Sequence, residues 1–249
     1  SGTGGSGTVF FSGCNLRCIY CQNHSISTGK AGTAVSPDRL AEIFLELQAK
    51  GANNINLVTG APFLPHIVYA INKSRKDGLV IPIVYNSSGY EEVETLKELD
   101  GLIDIYLPDL KYIRPNKSMR YSKAYDYFDK ASLALNEMRR QVKDEFDGKI
   151  MKSGLIIRHL ILPQNTNSSI EILDYIKSNL PDTYVSLMAQ YTPCGDLSDY
   201  TEINRKITKR EYDKVLNYAL YNSFDKLFIQ ELSSADKSFI PKFDFTGVL

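Results

Sequence analysis

Short apolar runs alternate with longer segments of helical periodicity along this chain. Apolar runs bounded by turn residues predict strands, and apolar positions recurring about every 3.6 residues predict helices. A typical helix opens at Ser36-Pro37, carries Leu40 and Phe44 on one face, and ends at Gly51. Strands are predicted at residues 9–12, 56–59, 80–85, 103–107, 155–162, 184–191 and 226–231. Helices are predicted at residues 36–51, 67–76, 91–99, 118–146, 168–180 and 208–221.

Strand and helix alternate about six times, which predicts an α/β fold with parallel strands and right-handed crossovers. The pattern alone fits a doubly wound sheet or a barrel. No Pro/Gly-rich linker divides the chain, so residues 1–249 are expected to form one domain. A formal G-x-G-x-x-G at residues 2–7 has no strand before it and no helix after it, which argues against a dinucleotide site.

Composition narrows the class of protein. The chain is 43% hydrophobic and 23% charged, which argues against disorder. Lys plus Arg equals Asp plus Glu at 29 each, so no global basic field indicates nucleic-acid binding. No apolar run is long enough to span a membrane, and no signal-peptide pattern opens the chain. The sequence does not begin with Met, so a further N-terminal segment is expected.

Three of the four cysteines, Cys14, Cys18 and Cys21, fall within eight residues. This distribution argues against a disulfide framework and favours a reducing, cytoplasmic compartment. Thiolates are soft ligands that favour iron–sulfur clusters, zinc or copper(I). A closed zinc site needs a fourth protein ligand, for which His24 and Cys194 are candidates, whereas a cubane held by three cysteines leaves one iron open. Three thiols without metal are the remaining alternative.

The spacing C-x3-C-x2-C, with Tyr20 just before the third cysteine, resembles the radical S-adenosylmethionine (SAM) superfamily. The resemblance implies a partial, six-stranded parallel (β/α)6 barrel. It also implies that Cys14, Cys18 and Cys21 ligate a [4Fe–4S] cluster whose open iron binds SAM. One electron from the cluster then cleaves SAM to a 5′-deoxyadenosyl radical, which abstracts hydrogen from a substrate.

Further segments resemble the proteins related to pyruvate formate-lyase activating enzyme. They are residues 5–18, Asp109-Leu110-Lys111, Arg158-His159-Leu160, and the C-terminal residues 229–236, 239–241 and 243–244. The resemblance implies an external one-electron donor, such as flavodoxin or ferredoxin, and a glycyl-radical protein as partner. A peptide or a small metabolite is the alternative substrate. A zinc or iron–sulfur binding module without catalysis, and a protein that only transfers electrons, are the alternatives from other classes.

Two segments depart from the activating enzymes. Thr59-Gly60-Ala61-Pro62 stands where they carry a Gly-Gly-Glu-Pro-like turn that binds the SAM amino group, so the Thr59 and Gly60 carbonyls are the candidates here. Asn86 stands where they have an acidic residue. Plain strand-to-helix turn chemistry explains both segments as well.

Other candidates for the cofactor site follow the strands. Tyr20 is positioned by the resemblance to stack near adenine, or it packs against its own loop. Asn86 and Ser88 suit ribose hydroxyls or polar groups of the methionine moiety, and Gln190 ends the sixth strand beside the expected pocket. Cys194 follows on the next loop, as a reactive thiol or an ordinary one.

Charged residues complete the candidate site. Asp109 and Lys111 follow the fourth strand and, by alternation, point to the same side, toward substrate and cofactor or into a mutual salt bridge. Arg158 interrupts an apolar strand, where a guanidinium needs an anion. The family implies the SAM carboxylate as that anion, and a buried structural salt bridge is the alternative. His159 should face the opposite way, as a core histidine.

Overall fold

The structure is a computed structural model that describes residues 4–29, 31–230, 243, 247 and 248. The predicted strand in residues 226–231 and the C-terminal resemblance therefore lie partly outside the described residues. The strands are β1 (Gly7–Phe10), β2 (Ile55–Val58), β3 (Ile83–Asn86), β4 (Ile105–Tyr106), β5 (Glu145–Asp147), β6 (Ile150–Leu160), β7 (Tyr184–Met188) and β8 (Leu227–Ile229). The helices are α1 (His24–Ser27), α2 (Pro37–Ala49), α3 (Leu64–Lys76), α4 (Val93–Lys97), α5 (Pro115–Ser122), α6 (Tyr127–Gln141), α7 (Thr166–Asn179) and α8 (Lys209–Tyr221), with a 3-10 turn at Ala61–Phe63.

The main sheet runs in the order β1-β2-β3-β4-β6-β7-β8, and every pairing along this path is parallel. The predicted α/β fold with a parallel sheet is confirmed. The path contains seven parallel strands rather than six, because β8 adds to the far edge. Parallel strands put their carboxyl ends at one edge of the sheet, so the loops after β1, β2, β3, β4, β6 and β7 meet there.

Capping fixes where the helices begin. The Ser36 side chain accepts a hydrogen bond from Arg39 N at the start of α2, and Pro37 occupies the first turn. Thr208 and Glu211 form a capping box at the start of α8. The buried faces of these helices pack on the sheet and form a continuous hydrophobic core.

The prediction of one continuous helix over residues 118–146 is wrong. The structure has two helices there, α5 and α6, because Lys123 adopts a left-handed backbone conformation with φ of 56° and ends α5. Phe146 belongs to β5, which pairs antiparallel with the start of β6. Leu133, which the helical pattern predicts to be partly buried, is exposed on α6.

Alternation along β6 sets the direction of the site residues. His159 points toward α7, where its Nε2 lies 2.9 Å from Ser169 Oγ, and its Nδ1 lies 2.8 Å from Leu110 O. The neighbouring Arg158 therefore points to the opposite face of the sheet. Burial lowers the pKa of His159 to about 4, so this histidine is a neutral core residue, as its position predicts.

None of the helices within the described residues is both long and apolar enough to cross a membrane.

Candidate functional site

The three cysteines lie on the loop that follows β1, and the C-terminal end of α5 holds this loop in place. Arg17 N donates to Ser122 O at 3.2 Å, and Ile19 N donates to Tyr121 O at 2.9 Å. The two bonds flank Cys18 on either side. Carbonyl groups at a helix C-terminus lack intrahelical partners, so the loop satisfies α5 while α5 fixes the loop.

Loops after two other strands hold the cysteine loop from its sides. Asn15 Nδ2 donates to Tyr90 O at 2.5 Å, and Ser88 Oγ donates to Asn15 Oδ1 at 3.3 Å. Gln22 Nε2, next to Cys21, donates to Gln190 O at 3.3 Å. The loop that carries the thiols is thus anchored to the segments that follow β3 and β7.

The thiols of Cys14, Cys18 and Cys21 lie close together, near enough for Cys21 to act electrostatically on both Cys14 and Cys18. Burial raises the pKa of Cys14, and it raises that of Cys18 to about 11, while the nearby Lys111 ammonium acts in the opposite direction on both. The three cysteines are only partly exposed. Metal ligation deprotonates a thiol, so these thiols would become thiolates when they bind a metal, and the Lys111 ammonium would stabilise that form.

Within the described residues, no group of three or more His, Cys, Asp and Glu side chains converges on one metal-ion position. In a cubane each cysteine binds a different iron, so its ligands surround a cluster instead of a single point. The donor set fits such a cluster: three thiols on one loop, with Lys111 nearby to offset the negative charge of the thiolates.

A chain of hydroxyl groups runs behind the cysteine loop and ends on Cys18. Tyr20 Oη lies 2.6 Å from Tyr112 Oη, and Tyr112 Oη lies 2.8 Å from Ser122 Oγ. Ser122 Oγ donates to Cys18 Sγ at 3.0 Å. Tyr20 is buried and its ring meets the Tyr191 ring edge-on, so the structure places it in a packing role.

Asp109 is the centre of a largely buried group of three charges, whose side chains are 14–22% exposed. Its Oδ2 lies 2.5 Å from Lys111 Nζ, and its Oδ1 lies 2.7 Å from Arg158 Nη2. Burial opposes ionisation of Asp109, but the charges of Arg158 and Lys111 outweigh it and keep its pKa below the ordinary value. The sequence leaves this interaction as a possible surface salt bridge, and the structure makes it a buried one with net charge of about +1.

Arg158 retains hydrogen-bonding capacity for a ligand. Its Nε is buried without a hydrogen-bond partner among the described residues. Its contact with Asp109 Oδ1 is an ion pair outside hydrogen-bond geometry. Arg158 sits level with Asp109 on one side and with Ser186 of β7 on the other. A largely buried guanidinium with an unused donor can bind a carboxylate of a ligand.

Tyr127 and Gly89 join the loops after β3 and β4. Tyr127 Oη lies 2.8 Å from both Ser88 O and Asp109 O, and it accepts a hydrogen bond from Lys111 N at 3.0 Å. Gly89 has φ of 76°, and a Cβ built there would lie 2.3 Å from Asp109 O. Only a residue without a side chain permits this approach, which fixes Asp109 beside the β3 loop.

Replacing Gly89 with alanine should therefore reduce the free energy of unfolding more than the same change at Gly101. Gly101 has the same φ of 76°, but its added Cβ would meet nothing within 4 Å. The left-handed backbone costs each variant about 1–2 kcal/mol. The clash with Asp109 O should add about 1–3 kcal/mol in Gly89→Ala alone. Urea unfolding of both variants measures the difference, and equal losses would contradict the steric argument.

The turn after β2 carries a strained residue. Thr59 has φ of 61°, a left-handed conformation that costs a β-branched residue about 1–3 kcal/mol. Its N–H donates to Asn86 O at 3.0 Å, which joins the ends of β2 and β3. Gly60 is buried, and a Cβ there would lie 2.6 Å from Ile67 Cδ1. The structure thus brings Thr59, Gly60 and Asn86 together at the expected edge of the sheet.

Glu91, which the sequence does not single out, is buried just beyond the β3 loop. Burial raises its pKa to about 7, against an opposing effect of Ser87 and Tyr85. The folded state therefore keeps a proton that the unfolded state loses between the ordinary pKa near 4.5 and about 7. Stability should fall as pH rises through that window, by about 3 kcal/mol in total.

Glu91→Gln should remove this pH dependence. Relative to the wild type, we expect the variant to gain stability at pH 8 compared with pH 5, measured by urea unfolding at each pH. Glu98→Gln, at an exposed glutamate, serves as the control and should change the free energy of unfolding by the same amount at pH 5 and pH 8. A Glu91→Gln variant that shows the same pH response as that control would contradict the assignment.

Comparison with known proteins supplies the family. The family model described as the Radical SAM superfamily matches residues 8–176. The uncharacterized protein MJ0674 of Methanocaldococcus jannaschii is 32% identical over 231 residues, which cover 90% of this chain and 64% of that protein. The chain thus spans less than two thirds of the length of this curated relative.

Solved structures agree on the fold. Streptococcus suis SuiB bound to its precursor peptide SuiA has a TM-score of 0.59 at 14% identity, covering 92% of this chain and 50% of that one. The FeFe-hydrogenase maturase HydG from Carboxydothermus hydrogenoformans has a TM-score of 0.62 at 15% identity, covering 90% and 52%. Methylornithine synthase has a TM-score of 0.61 at 14% identity, covering 90% and 64%. At such identities the likeness shows the fold.

Proposed function

Because the chain belongs to the radical SAM superfamily, whose members use a [4Fe–4S] cluster and SAM, we propose that it cleaves SAM reductively. Cys14, Cys18 and Cys21 are the proposed cluster ligands. When bound, the cluster and SAM together supply a one-electron reduction and a 5′-deoxyadenosyl radical. The observation that carries this proposal is the anchored loop of three mutually close thiols, with the Lys111 ammonium near enough to act on Cys14 and Cys18.

The chain's own charged residues bind and orient the cofactor in this proposal. Arg158 holds the SAM carboxylate through its unpartnered Nε, and Asp109 keeps the guanidinium in place. Lys111 offsets the negative charge of the thiolates. The carbonyl groups of Thr59 and Gly60 accept from the SAM ammonium, without the acidic side chain that activating enzymes use there.

Polar residues at the same edge of the sheet complete the proposed site. Asn86 and Ser88 bind ribose or methionine polar groups, and Gln190 borders the cofactor from the β7 loop. Tyr20 contributes through its packing beneath the cysteine loop. Support comes from the hydrogen bonds that join the segments following β3 and β7 to the cysteine loop.

For the substrate we propose a glycine Cα in a partner protein, as in the activating enzymes whose segments this chain resembles. Asp109-Leu110-Lys111 and the Arg158 strand support this choice because they are the resembling segments that the structure joins through ion pairs. An external one-electron donor such as flavodoxin or ferredoxin is the proposed second partner. A peptide is the alternative substrate, and the fold likeness to the peptide-bound SuiB favours testing it.

Anaerobic reconstitution with iron and sulfide tests the proposed function. The wild-type chain should acquire a cubane absorption spectrum and, with dithionite and SAM, release 5′-deoxyadenosine. Labelled glycine in a candidate partner or peptide should then transfer hydrogen to that product. Tetrahedral zinc without product would favour a binding module, and a reducible cluster that ignores SAM would favour electron transfer alone.

A further inference from the structure

Ser122 differs from Ser118 of the same helix and from Ser74 of α3 in its choice of hydrogen-bond partner. Helical serines usually donate to a carbonyl of the preceding turn, as Ser118 of the same helix does to Pro115 O at 3.0 Å and Ser74 of α3 does to Ile71 O at 3.0 Å. Ser122 is the last residue of α5 and is 1% exposed, yet it donates out of its helix to Cys18 Sγ.

That bond fixes the direction of each proton in the chain of hydroxyl groups formed by Ser122, Tyr112 and Tyr20. Ser122 has one hydroxyl proton, which it donates to Cys18 Sγ, so it accepts the proton of Tyr112. Tyr112 must in turn accept from Tyr20. All three protons therefore point toward the sulfur, and aligned hydroxyl chains polarise one another.

Ring packing and main-chain hydrogen bonds hold this chain of hydroxyl groups rigidly. The Tyr112 ring meets the Tyr127 ring edge-on with centroids 5.4 Å apart, and the Tyr20 ring meets Tyr191 at 5.8 Å. The main-chain bonds from Arg17 and Ile19 keep Cys18 against the end of α5. A hydrogen bond fixed in this way does not need to form when the cluster changes its charge.

We propose that Ser122 is a positioning residue that, supported by Tyr112 and Tyr20, donates a hydrogen bond to the Cys18 thiolate and raises the reduction potential of the bound [4Fe–4S] cluster. The inference rests on the proposed function in that it takes Cys18 as a cluster ligand. Hydrogen bonds to cluster sulfurs favour the reduced state because that state carries one more negative charge. The electron comes from the external reductant, and Ser122 keeps its proton throughout.

The test is a redox titration of the reconstituted full chain, followed by electron paramagnetic resonance of the reduced cluster. At the potential that half-reduces the wild type, Ser122→Ala should lower the ratio of reduced to oxidised cluster about tenfold, a shift of ~59 mV toward negative values. Ser118→Ala, which removes a buried hydroxyl one turn earlier, should leave the potential at the wild-type value.

Tyr112→Phe provides a second variant, which retains the Ser122 hydroxyl and removes the group that orients it. We expect a smaller shift in the same direction. Should Ser122→Ala fail to assemble a cluster, Tyr112→Phe decides the question. The inference is overturned if Ser122→Ala and Tyr112→Phe, or whichever of them assembles a cluster, have the same reduction potential as Ser118→Ala. Failure of the proposed function would look different, because the wild type itself would then release no 5′-deoxyadenosine, whether it held a cluster or zinc.

Discussion

Replacing any one of Cys14, Cys18 and Cys21 with alanine should abolish release of 5′-deoxyadenosine from SAM. A cubane that loses one of three protein ligands loses its single open iron as the defined SAM site, so the whole activity should fall to the background of the assay. Loss of a residue that only supports a ligand typically costs about 10–100-fold. Product chromatography after anaerobic reconstitution, with iron and sulfide counted in each variant, measures both effects.

Cys194→Ala is the matched control for these variants. Cys194 lies on the segment after β7, where Gly195 approaches Ile19 O of the cysteine loop. If Cys194 were the fourth ligand of a zinc site, its removal would be as damaging as removal of the other three. We expect it to retain both cluster and product, and full cleavage by any of the three loop variants would contradict the cluster assignment.

The order of strands and helices could be predicted from the sequence because burial on both faces gives parallel strands continuous apolar runs. The predicted 208–221 helix corresponds closely to α8, and the predicted 155–162 strand overlaps the second half of β6. The break between α5 and α6 could not be predicted, because it depends on Lys123, which lacks the glycine signal of a left-handed turn. The β5–β6 hairpin could not be predicted for a related reason, since Phe146 continues a helical pattern in the sequence.

The candidate site likewise has one part that the sequence predicts and another part that it does not. The cysteine motif is local, so its spacing alone predicts a metal-binding loop. The residues that support the loop come from distant parts of the chain: Tyr112, Ser122 and Tyr127 carry no motif, and only the packing of α5 and α6 against the loops reveals them. An aromatic-rich segment following Asp109-Leu110-Lys111 was the available signal.

Asp109→Asn should have the largest effect on stability. The change preserves the shape of the side chain but leaves the Lys111 and Arg158 cations buried without their shared anion. Breaking a buried ion pair in this way costs about 3–5 kcal/mol. The loss of stability cannot exceed the cost of deprotonating Lys111, because the ammonium can release its proton instead of staying charged without its anion. Urea unfolding of the chain without cluster or SAM measures the loss, which keeps the result independent of cofactor binding.

A second substitution separates charge repulsion from loss of packing. Adding Lys111→Met to Asp109→Asn removes one of the two unpaired cations, so the double variant should be more stable than Asp109→Asn alone, by about 1–3 kcal/mol. Glu94→Gln, at an exposed pair with Lys97, is the control and should change stability little. If the double variant is less stable than Asp109→Asn alone, the ammonium of Lys111 does not depend on Asp109, and the three charges do not act as one group.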